Sequence, residues 1–129
     1  MDTLAKILMV EDEPDIRAIA KLALEAVGGY TVELASSGSE ALTLYPTFRP
    51  DLVLLDVMMP GMDGIETLAR LRELAGDQAP AVIFMTAKVQ RHEIERYLSL
   101  GALDVITKPF DPMTLSAVVR AIWERHNGT

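Results

Sequence analysis

Residues 51–64 read Asp51-Leu-Val-Leu-Leu-Asp56-Val-Met-Met-Pro60-Gly-Met-Asp-Gly64. Leu52–Leu55 is apolar at every position, as expected of a strand covered on both faces inside a parallel sheet. A strand over Asp51–Leu55 delivers one carboxylate, Asp56, at its C-terminal tip. Pro60, Gly61 and Gly64 then punctuate a turn, and Ile65, Leu68, Leu71 and Leu74 recur at helical spacing with their side chains inward. Gly61 and Gly64 are expected to need backbone conformations closed to residues with a Cβ. Asp63 reads as a helix cap or a solvent-facing residue.

The same unit, a short apolar strand followed by a helix, repeats in both directions. Upstream, Lys6–Val10 is a strand, and a helix runs from about Pro14 to the glycines 28 and 29. Its predicted buried stripe is Ile16, Ile19, Ala20, Ala23, Leu24 and Val27. Tyr30–Ala35 is a second strand, and Ser39–Tyr45 a short helix stopped before Pro46. Downstream, Ala81–Met85 is a strand ending at Thr86. A helix over roughly Arg91–Leu100 follows, with Ile94, Tyr97 and Leu98 on one side. Leu103–Ile106 is the fifth strand. A last helix starts near Pro112, burying Leu115, Val118, Val119 and Ile122. Five βα units without a break in composition predict one α/β domain over residues 1–129, a doubly wound parallel sheet with helices on both faces.

Composition narrows the function. At 129 residues the chain has the size of one domain. It has no cysteine, which excludes disulfides, thiolate metal sites and cysteine nucleophiles. No secretory signal opens the sequence and no run approaches a membrane span, so a cytoplasmic protein without a membrane partner is expected. Nineteen acidic residues against 12 Lys and Arg give a net charge of −7, a field that repels nucleic acid and attracts cations.

In a doubly wound sheet, ligands bind outside the carboxyl ends of the strands. Glu11, Asp12, Asp56, Thr86 and Lys108 each follow a strand at that end. Glu11, Asp12 and Asp56 together offer oxygen ligands of the kind Mg²⁺ prefers, and a cation would relieve their mutual repulsion. An aspartate so placed suits nucleophilic attack on a phosphoryl group, with Lys108 and Thr86 of the right types to meet the other phosphoryl oxygens. The alternative, a solvated acidic helix start at Glu11-Asp12-Glu13, does not account for Asp56, Thr86 and Lys108 converging on it.

From about Lys6 to Trp123 the chain resembles the receiver domains of bacterial two-component response regulators. The resemblance rests on Glu11-Asp12, on Asp56, on Met59-Pro60-Gly61-Met62-Asp63-Gly64, on Thr86-Ala87 and on Lys108-Pro109-Phe110, in this order. It implies the flavodoxin-like strand order 2-1-3-4-5 and a Mg²⁺ cofactor. Asp12, Asp56 and the Met58 backbone carbonyl would be its ligands, with Glu11 acting directly or through water. It makes Asp56 the phosphoacceptor, Thr86 the hydroxyl that swings toward the phosphate, and Lys108 the cationic partner joined to Pro109 by a cis bond. It further implies a sensor histidine kinase or phosphotransfer protein as donor, and an output surface on helix four, strand five and helix five. That surface would meet a downstream protein, with a homodimer left open and no direct contact with nucleic acid. Such a protein modifies itself and turns over no external substrate.

The chain departs from the pattern in places. Val105 stands where strand five usually has Tyr or Phe, which predicts a muted switch or one using other residues of that face. Tyr97 is expected to be simply packed. Met58 and Lys88 flank the phosphoryl position, and Met58 predicts slow self-dephosphorylation, because a thioether cannot orient a water strongly. Output-face candidates are Arg91, Glu95, Val105, Arg120 and Trp123, with Trp123 read equally as a core cap beside Ile122. Thr114 replaces a Glu usual in receivers that dimerise before binding DNA. His92 and His126 read as surface residues. Two hypotheses follow: a stand-alone signalling module, or the receiver piece of a larger DNA-binding regulator or hybrid kinase. A haloacid dehalogenase-type phosphatase would need an Asp at position 58. A flavodoxin-like electron carrier would need a phosphate loop where Glu11-Asp12 stands.

Overall fold

The computed structural model describes residues 3–127. Five strands, β1 (Lys6–Val10), β2 (Thr31–Ala35), β3 (Leu52–Asp56), β4 (Ala81–Thr86) and β5 (Asp104–Thr107), form one parallel sheet in the order β2-β1-β3-β4-β5. Five helices connect and follow them: α1 (Pro14–Leu22), α2 (Gly38–Phe48), α3 (Gly64–Ala75), α4 (Arg91–Ser99) and α5 (Leu115–His126). The predicted fold class and strand order hold. Among the described residues no helix is long and apolar enough to cross a membrane.

Strand alternation builds two cores. Ile7, Met9, Leu52, Leu54, Ile83, Met85 and Ile106 face one layer, packed against Ala20, Ala23 and Leu24 of the first helical segment and Leu115, Val119 and Ile122 of α5. Leu8, Val10, Val53, Leu55, Val82 and Phe84 face the other, against Ala41, Leu68, Leu71 and Tyr97. Burying a side chain such as Phe84 or Leu54 completely is worth roughly 1.5–3 kcal/mol each, so strands with no solvent face hold the molecule together. Tyr97 is packed as expected, its ring 5.3 Å from that of Phe84.

The helices bury less than their sequences predict. Ile19, Val27, Leu74 and Val118, all expected inward, are 45%, 55%, 51% and 40% exposed, and Leu98, on the same side of its helix as Tyr97, is 43% exposed. A helix lying on a flat sheet buries only a narrow stripe, and the neighbouring helices decide which edge of a wider apolar face stays covered. For Val27 there is a further cause. After Leu22, α1 continues as a wider π-turn over Ala23–Val27, which rotates the last residues away from the core. Helix α2 runs through Pro46 to Phe48 instead of stopping before it. One lost N–H bond is offset by Leu44, Tyr45 and Phe48, which pack against the core on either side of it, and the helix ends at Arg49 in the left-handed conformation. Helix α5 starts at Leu115, later than predicted, because Asp111 organises residues 111–114 as a turn. Its carboxylate accepts from the Met113 amide at 2.8 Å and its carbonyl from the Thr114 amide at 3.1 Å. Trp123 is 7% exposed and belongs to the core. Arg120 lies over the Tyr30 ring, away from the α4–β5 edge, so neither joins Arg91, Glu95 and Val105.

Candidate functional site

Register carries the acidic residues to one level. Val10 pairs with Leu55 and Asp56 with Met85, while Thr86 pairs with Thr107. Glu11, Asp56 and Lys108 continue the alternation of Met9, Leu54 and Ile106, so all three turn toward the layer of α1 and α5. Thr86 continues the alternation of Phe84 on the opposite face.

The side chains meet as this parity requires. Lys108 Nζ lies 2.8 Å from Glu11 Oε1 and 3.3 Å from Asp56 Oδ2, and Glu11 and Asp56 are fully buried. One carboxylate oxygen each from Glu11, Asp12 and Asp56 falls within 4.8 Å of the others. Glu11 Oε2 accepts from the Glu13 amide at 3.2 Å, and Asp56 Oδ1 from the Met58 amide at 3.3 Å. Asp56 Oδ2 is buried with no hydrogen-bond partner; the ammonium sits near it without bonding geometry. Three carboxylates against one ammonium leave two net negative charges when all are ionised. Burial pushes the Glu11 carboxyl up to about 7, aided by the Asp56 charge and opposed by Lys108 and the Glu13 amide. Burial likewise raises Asp56, against the Lys108 charge, Glu11 and the Met58 amide. Lys108 is raised too: burial opposes its charge, but the bond to Glu11 and the two carboxylates outweigh that. A largely buried, all-oxygen cluster of acids with an unsatisfied oxygen fits a small hard divalent cation, which would favour the ionised carboxylates.

Thr86 Oγ1 accepts from the Lys88 amide at 3.0 Å, and the Thr86 carbonyl accepts from the Lys108 amide at 2.9 Å. The Met58 side chain is 59% exposed and that of Lys88 is exposed. Lys108–Pro109 is cis. Asp63 caps α3, accepting from the Glu66 amide at 2.8 Å, and His92 and His126 are exposed. The glycines divide. Gly61 has φ +74°, as expected. Gly64 does not need a positive φ but a missing Cβ, since one would stand 2.8 Å from the Val57 Cα, against the end of β3. One residue escaped the sequence reading: Arg17 Nη1 donates to the Glu11 carbonyl at 2.7 Å. A cation in the first turn of a helix opposes the helix dipole, and that anomaly was its only signal.

The family model for the response regulator receiver domain matches residues 7–120. The chain belongs to that family. The receiver is 42% identical over 120 residues to the alkaline phosphatase synthesis transcriptional regulatory protein PhoP of Bacillus subtilis, covering 93% of this chain and 49% of that protein. Among solved structures it is similar to the chemotaxis response regulator CheY4 of Vibrio cholerae, at 31% identity and a TM-score of 0.83, covering 93% of this chain and 99% of that one. It is also similar to the receiver domain of a signal transduction histidine kinase from Syntrophus aciditrophicus, at 34% identity and a TM-score of 0.79, covering 97% and 94%. The chain spans about half the length of the curated relatives it matches. As a receiver it serves phosphorelay signal transduction, with the acidic cluster typical of such domains.

Proposed function

We propose that Asp56 accepts a phosphoryl group from a phosphohistidine and that the resulting acyl phosphate switches a protein-binding surface. The observation that carries this reading is the buried Asp56 carboxylate, with Oδ2 unsatisfied, 3.3 Å from Lys108 and beside two further acids. An Asp56 oxygen attacks phosphorus, the P–N bond of the donor breaks, and the departing imidazole nitrogen takes up a proton. Glu11, Asp12 and Asp56 would hold Mg²⁺, with the Met58 carbonyl as a further ligand. Bound there, Mg²⁺ supplies positive charge to the phosphoryl oxygens. The Lys108 ammonium, shared between Glu11 and Asp56, is within reach of an oxygen added to Asp56. The Thr86 hydroxyl, one strand over, is of the type to donate to another. The protein thereby catalyses its own modification and no external turnover, in the cytoplasm where a kinase can reach it.

Relatives of twice the length favour the receiver as one part of a longer regulator over a stand-alone module. Its output surface would be the α4–β5–α5 face, where Arg91 and Glu95 are exposed and Val105 is half-buried. On that face Asp104 is engaged within the chain by Arg125 at 2.6 Å. Incubation with acetyl phosphate and Mg²⁺, followed by intact mass measurement, tests the reading. A gain of about 80 Da in the wild type, absent from Asp56→Asn, is expected. No gain with acetyl phosphate or with any histidine kinase would overturn it. Sizing chromatography of the same sample reads out whether a homodimer forms.

A further inference from the structure

The Glu11 backbone is held from both sides. Its amide donates to the Ala35 carbonyl at 3.0 Å, and its carbonyl accepts from Arg17 Nη1 at 2.7 Å. Arg17 stands in the first turn of α1, where its charge is unfavourable to the helix, and its side chain folds back over that turn. The Arg17 amide donates to the Glu13 carbonyl at 3.0 Å, so the residue grips both ends of the Glu11-Asp12-Glu13 loop. Its charge also reaches α2. Glu40, whose carboxylate accepts from the Ser36 amide and hydroxyl, is held below its ordinary range mainly by those bonds and partly by Arg17. The Glu11–Asp12 peptide is therefore anchored through its carbonyl by Arg17, and the strand end before it through the Glu11 amide, with Glu11 bonded to Lys108 and Asp12 in the acid cluster.

We infer that Arg17 is a positioning residue for the divalent-cation site: its bond to the Glu11 carbonyl aims the Asp12 carboxylate. This rests on the proposed reading of the cluster as a Mg²⁺ site. Two physical effects of Arg17 have opposite signs there. As a nearby positive charge it repels the cation, so removing it would tighten binding. As a donor that orders a ligand-bearing peptide it preorganises the site, and its loss would weaken binding. The part-buried 2.7 Å bond favours the second, because it commits the guanidinium to the backbone of the very residues that bear the ligands.

The test measures Mg²⁺ affinity by titration calorimetry without any phosphoryl donor, on the wild type, Arg17→Met and Arg17→Lys. Methionine keeps the apolar stem and loses the donor; lysine keeps a donor on a shorter reach. Arg17→Met should bind Mg²⁺ about 10-fold more weakly than the wild type, with Arg17→Lys between them. Melting in metal-free buffer checks that the Met variant is folded. Affinity that is unchanged or tighter in Arg17→Met, in a folded protein, overturns the inference and leaves the site reading intact. A wild type that binds no Mg²⁺ and takes no phosphoryl group overturns the reading on which it stands.

Discussion

At Glu11 a buried carboxyl, an ammonium and a second acid share a few ångströms, and burial makes this carboxyl harder to ionise. Its folded value, about 7, lies above the ordinary 4.5. The folded protein therefore holds a proton that the unfolded chain has released, and the stability this provides is full below about pH 4.5 and lost as pH rises through about 7. Glu11→Gln, neutral throughout, should gain stability relative to the wild type across that window in metal-free buffer. Urea denaturation at several pH values checks this, and parallel profiles would refute it. Two residues past Asp56, the proposed acceptor, the Met58 side chain is 59% exposed and offers only a weak acceptor to an attacking water. The phosphorylated wild type should therefore persist with a half-life above about one minute, and Met58→Asn, which can order a water, should shorten it several-fold. Loss of the added mass over time measures both.

Between strand and helix, the limiting contact is that of α3 with β3. Gly64 opens α3 with its amide donating to the Val57 carbonyl at 3.0 Å, and its α-carbon leaves no room for a methyl group against the strand end. Gly64→Ala must push α3 away from the residues that carry Asp56, and about 1–3 kcal/mol of stability should be lost. Gly61→Ala disturbs its turn through backbone strain alone, since nothing lies within 4 Å of its added Cβ. Chemical denaturation of the two variants, with phosphoryl uptake measured beside it, should show the larger loss of both properties in Gly64→Ala. At this scale the sequence marked both glycines but assigned them one reason. The close approach at Gly64 involves backbone brought together only by the fold.

For the molecule as a whole, the acid cluster is a local excess of negative charge inside a chain of net charge −7. Mg²⁺ should stabilise it by mass action, by about 1.4 kcal/mol at ten times the dissociation constant. The melting temperature should rise by a few degrees on adding Mg²⁺ and fall back with chelator, and Asp12→Asn should abolish the rise. An equal rise with sodium chloride of matched ionic strength would show screening instead of a bound ion. The strand positions, their parallel sense and the carboxylates, hydroxyl and lysine at their ends were legible from the chain alone, because apolar runs and turn residues encode local structure directly. Leu52–Leu55 could only be a doubly covered strand, and Asp56 had to follow it. The tertiary structure alone decided which side of each helix faces inward at Ile19, Leu74 and Val118, and that Trp123 fills the core. It also decided that α2 survives Pro46, and that Arg17 turns back to the Glu11 carbonyl. Periodicity along a chain says how side chains repeat, but their burial and bonding depend on which distant segment folding places beside them.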